Sequence, residues 1–138
     1  MRVSRVLSFM LALAVAACGS PTGPSLNLGG NWTGTWSFVI GGTTVTDVVT
    51  MTVTQTDTLV SGQWTAASGA AGNVTFGPTA EFTGTANINQ TLIIGGNCNA
   101  ATNLTGTASS NQIRFTYGTL TSTGLCQWPT GNQFTFSR

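Results

Sequence analysis

The residues Gly30-Asn31-Trp32-Thr33-Gly34-Thr35-Trp36-Ser37-Phe38-Val39-Ile40 constrain the fold more than any others, because they alternate at period two. Trp32, Gly34, Trp36, Phe38 and Ile40 fall on one parity, and Thr33, Thr35, Ser37 and Val39 on the other. Successive side chains leave a strand on opposite faces, so this pattern specifies a β-strand with one buried face. The chain then repeats it. Val45, Val49, Met51 and Val53 share a face with Asp47 and Gln55, and Val60, Gly62, Trp64 and Ala66 do so further on. Ala80, Phe82, Gly84, Ala86 and Ile88 follow, and then Ile113, Phe115 and Tyr117.

Eight strands are expected, over residues 31–40, 43–55, 59–67, 73–88, 91–95, 102–109, 112–121 and 132–138. Gly41-Gly42 suits the positive φ angles of a two-residue hairpin. Thr56-Asp57-Thr58, Asn89-Gln90 and Ser110-Asn111 read as further tight turns. Gly77-Pro78 falls within the fourth strand, where proline breaks the ladder and implies a bulge or bend. The fold class is therefore all-β: an eight-stranded antiparallel up-and-down barrel. A motif recurs at irregular spacing, Trp32-Thr33-Gly34-Thr35-Trp36, then Phe82-Thr83-Gly84-Thr85-Ala86, then Leu104-Thr105-Gly106-Thr107-Ala108. Its glycine falls on the inward parity, where it relieves crowding between coiled strands and lets an aromatic ring lie over bare backbone. A slot for a ligand is the other reading of the same glycines.

Residues 1–17 read as an export signal, with Arg2 and Arg5 ahead of a short apolar run. That run is too short to span a bilayer. Val15-Ala16-Ala17-Cys18 resembles the lipobox of bacterial lipoproteins. The resemblance implies lipidation of Cys18 and anchorage to the cell envelope, the outer membrane being implied by Gly19 in place of aspartate. Several acyl chains on one residue hold a protein to a membrane far better than one. Residues 18–28, rich in Gly and Pro, read as a flexible tether, and residues 29–138 as the barrel domain.

Without the signal, Arg114 and Arg138 stand against Asp47, Asp57 and Glu81, and the chain has no lysine or histidine. So few cations cannot neutralise a phosphate backbone, which argues against nucleic acid as a partner. The absence of histidine removes the commonest general base, and no serine sits in a G-x-S-x-G elbow, so no enzyme activity, catalytic residue or cofactor is expected.

Alternating connections bring Cys98 and Cys126 to one end of the barrel, the end with the longer loops. A disulfide between them suits an exported protein and in the chain-entropy model contributes roughly 3–4 kcal/mol. A zinc centre lacks ligands, since two cysteines without histidine do not fill four positions. At the other end Arg138 shares the parity of Phe134 and Phe136 and finishes beside Trp32, where a guanidinium over an indole would close the barrel floor. A solvated terminal arginine is the alternative.

With Gly30-Asn31-Trp32 opening the first strand and Arg138 ending the last, the chain resembles the calycin superfamily of lipocalins, avidins and related barrels. The resemblance implies a G-x-W tryptophan packed under the terminal arginine and a binding site at the open end. A small apolar ligand entering there would meet Trp36, Phe38, Trp64, Phe82, Phe115 and Tyr117, with Trp128 at the rim. The alternative is a filled barrel whose rim engages an envelope protein or a protease. An exposed Phe76 or Trp128 would favour that second reading.

Overall fold

The computed structural model describes residues 25–91, 97–119 and 130–138. All regular structure among them is strand: β1 Gly30–Ile40, β2 Thr43–Thr56, β3 Leu59–Ala66, β4 Ala71–Phe76, β5 Glu81–Thr91, β6 Asn97–Ala108, β7 Gln112–Tyr117 and β8 Thr130–Ser137. Each strand pairs antiparallel with the next, and β1 pairs with β8, so the sheet closes as an eight-stranded up-and-down barrel. Closure removes the unpaired edges that an open sheet would expose.

The period-two pattern sorts the wall into two faces. Trp32, Val49, Met51, Val60, Trp64, Val74, Ile88, Leu104, Ile113, Phe134 and Phe136 are buried inside. Thr33, Thr50, Thr65, Thr83, Thr105 and Thr116 stand outside and exposed. Each apolar inward row is backed by hydroxyls and amides outward, which is how a chain this poor in charge keeps a wetted surface.

Glycine on the inward parity has a visible cause. Gly34, Gly84 and Gly106 lie so close to the carbonyls of Thr135, Thr75 and Arg114 on the neighbouring strands that a Cβ would collide with them. Rings then cover the bare backbone: Phe82 lies over its cross-strand partner Gly106, and Trp64 over its partner Gly72.

Two expectations about the strands are corrected. The single bent strand over 73–88 is two strands, β4 and β5, and residues 77–80 form a true turn in which Thr79 N donates to Gly77 O at 2.9 Å. Asn89-Gln90 is no turn, because Asn89 pairs with both Ala71 and Asn99 within the wall. Proline at a sheet edge ends pairing, whereas an Asn-Gln dipeptide is tolerated inside a strand when its neighbours keep the inward alternation, as Ile88 does here. Thr91 extends β5, and residues 92–96 lie outside the described residues. The two differences offset each other, so the count stays at eight and β6 still begins at the end where β7 finishes.

Residues 26–28, expected within the free tether, are fastened across the closed end. Leu26 N donates to Pro78 O at 3.0 Å, Gln55 Nε2 donates to Leu26 O at 2.7 Å, and Leu28 N donates to Gln55 Oε1 at 2.6 Å. Leu28 is fully buried, because the open bottom of a small barrel offers an apolar hole that a leucine fills. Residues 1–24, with the signal and Cys18, lie outside the described residues.

Candidate functional site

The aromatics converge on Phe134. Trp36 is its cross-strand partner and stacks on it at 5.6 Å with ring planes 5° apart. Trp64 and Phe115 lie 4.9 Å from it and Tyr117 lies 5.0 Å away, centroid to centroid. Phe38 packs on Trp36 at 4.2 Å, and Phe136 lies 5.7 Å from Phe115. These separations are those of contacting rings, so the middle of the barrel is occupied by its own side chains.

Buried indoles need acceptors: in this cluster Trp36 finds one on the neighbouring strand and Trp64 one across the barrel. Trp36 Nε1 donates to Asn132 Oδ1 at 2.8 Å, and Trp64 Nε1 donates to the Tyr117 hydroxyl at 2.9 Å. The two bonds bolt β1 to β8 and β3 to β7 in the open half of the barrel. Burial pushes the Tyr117 hydroxyl well above its ordinary range, the Trp64 donor pulling the other way, so the phenol stays neutral at physiological pH.

Of the residues expected to line a ligand site, Trp36, Phe38, Trp64, Phe115 and Tyr117 are brought together. Phe82 is not among them. It stacks on Phe76 at 4.1 Å near the closed end, and Phe76 is buried rather than exposed at the rim. Trp128 and Cys126 lie outside the described residues. The backbone of Cys98 begins β6 at the open end, and its side chain also lies outside them. Sequence reading passed over Phe134 and Asn132 as members of the site. Their signal was the strand parity: Asn132 is a polar residue in line with Phe134 and Phe136, the mark of a buried group with a fixed partner.

At the closed end the Arg138 guanidinium lies 4.4 Å over the Trp32 ring. Its Nε donates to Ser110 O at 2.9 Å, Nη1 to Gly29 O at 2.9 Å and Nη2 to Asn27 O at 2.6 Å. Trp32 Nε1 donates in turn to Leu28 O at 2.9 Å. Gly30 takes φ +125°, a conformation other residues rarely adopt, and its bare Cα faces Arg138. The G-x-W triplet and the terminal arginine thus form one assembly with residues 27–29.

Comparison with protein-family models, with curated proteins and with solved structures gives no match. The closed eight-stranded antiparallel barrel is consistent with a calycin-like fold.

Outside the wall, an open groove of about 660 Å³ is lined by Glu81, Thr83, Thr107, Arg114, Thr116 and Gln133. A second, of about 390 Å³, runs among Asn73, Asn87, Asn89 and Asn99. Both open to solvent, and apolar residues border them too, Phe82 and Phe115 the first and Ile88 and Ala100 the second. Among the described residues no three of His, Cys, Asp and Glu cluster to hold a metal.

Proposed function

We propose that this chain is a calycin-like lipoprotein, anchored to the bacterial envelope through Cys18, in which a packed barrel serves as a rigid non-catalytic pedestal for protein interaction at its open end. The observation that carries the reading is the stack around Phe134: the space an apolar ligand would need holds rings in mutual contact, with the Trp36 donor bound beside it and the Trp64 donor bound across it. Displacing those rings would break both hydrogen bonds and the ring contacts at once, which a small ligand does not repay. The lipobox resemblance supports the anchor, and the start of β6 lying at the same end as the finish of β7 and the start of β8 supports a Cys98–Cys126 disulfide at the presenting end.

Native mass spectrometry of the protein purified from its own membranes tests this. The expected result is one mass, that of the chain with its acyl groups. A second, reproducible apolar adduct that quenches the Trp36 and Trp64 fluorescence would overturn the packed-barrel reading in favour of a ligand carrier.

A further inference from the structure

The wall of the barrel is not level. β1 and β2 pair without a break to the hairpin tip, Ile40 opposite Thr43, while β3 joins β2 only from Val49 onward. Among the described residues, Thr43 to Val48 therefore have β1 on one side and no strand on the other. The last bond on that other side is Ala67 N donating to Val48 O at 2.9 Å. Backbone groups alternate in direction along a strand, so Thr46 and Thr44 present their N–H and C=O the same way, into solvent. Both residues are exposed.

Asp47 marks where the ladder stops. Its Oδ1 accepts from Val48 N at 2.8 Å and its Oδ2 from Ser68 N at 3.0 Å, which uses the carboxylate on its own chain. Beyond it the edge has no lysine, proline or bulge of the kind that blunts natural edges. Apolar side chains stand beside it instead, with Val48 61% exposed, Ile40 59% and Val45 39%.

We infer that this edge pairs with the same edge of a second copy, two β2 strands joining antiparallel about a two-fold axis at Val45. Thr44-Val45-Thr46 is symmetric about its centre, so Thr44 of one copy falls opposite Thr46 of the other and four backbone hydrogen bonds form. Val45 meets Val45 as a closely spaced pair, and Asp47 falls opposite Thr43, so no like charges meet. A second copy is the occupant this edge fits best, because it brings an identical edge with the same open groups, and one contact covers both. The inference goes beyond the pedestal reading and does not rest on it, since a ligand inside the barrel would leave this edge unchanged.

Cysteine cross-linking of the full chain in detergent tests it. Directly opposed residues of a non-hydrogen-bonded antiparallel pair lie about 4.5 Å apart at Cα, within disulfide reach. Val45→Cys is expected to give a covalent homodimer on mild oxidation. Ile40→Cys, about three strand spacings from its mate, is expected to give none. Adding Thr46→Pro to Val45→Cys removes an outward N–H without touching the β1 ladder, and the homodimer is expected to fall about tenfold. Far-UV circular dichroism and tryptophan emission would show each variant folded. A folded Val45→Cys protein that stays monomeric, that cross-links no better than Ile40→Cys, that ignores Thr46→Pro or that is captured only by a different protein would overturn the inference.

Discussion

The Arg138 guanidinium lies over the Trp32 indole while its three nitrogens reach the carbonyls of Ser110, Gly29 and Asn27. One side chain therefore fastens the β6–β7 turn and the incoming segment at the floor of the barrel. Arg138→Leu keeps an apolar cover but loses every donor, and is expected to lower unfolding free energy by about 2 kcal/mol. Arg138→Lys is expected to recover less than half of that, because an ammonium cannot stack and fork at once. Urea unfolding followed by tryptophan fluorescence measures both.

Gly106→Ala is expected to destabilise by about 3 kcal/mol or more, since the new methyl meets the Arg114 carbonyl and the Phe82 ring. Gly77→Ala, whose Cβ would meet only the Thr79 hydroxyl at 4.0 Å, is expected to change little. Thermal melts of the two variants give the contrast directly.

Tyr117 is the chain's one tyrosine, so tyrosinate absorbance reports it alone. Its folded pKa is raised above the ordinary 10.0 by burial. The stability tied to that shift is fully present below pH 10.0 and falls as pH rises beyond it, because the unfolded chain releases the proton first. The absorbance step is expected to coincide with alkaline unfolding. Tyr117→Phe is expected to remove that alkaline limb while costing about 1–3 kcal/mol at neutral pH, since the Trp64 N–H loses its partner.

Asp47 behaves in the opposite sense. Burial raises its pKa, but the Ser68 hydroxyl and N–H and the Val48 N–H lower it further, and the net value lies below the ordinary 3.8. Stability from this group is present above pH 3.8 and is lost as pH falls through the depressed value. Asp47→Asn is expected to flatten that acid limb and leave the alkaline one alone. Urea midpoints at a series of acid pH values test this.

What could be read from the sequence followed from parity. Trp32, Phe134, Phe136 and Arg138 fall on one face by counting alternate residues, and strand closure then brings Trp32 and Arg138 together at one end. What could not be read depended on register between strands. Asn89-Gln90 has turn composition and lies in a strand. The Trp64–Tyr117 bond joins residues 53 apart, and no local pattern announces it. The open edge of β2 arises because β3 stops six residues short of matching the start of β2, a difference of lengths rather than of residue types.

Closure of β1 on β8 has a consequence for how the molecule is made. β1 is made well before its mate β8, with Trp36 and Asn132 separated by 96 positions. Until the last segment arrives, β1 and β7 each show a bare flank, and the partly made sheet is open to proteases and to mispairing. Completion acts as a clasp: a polypeptide without β8 has no seam to fasten, and its sheet stays open.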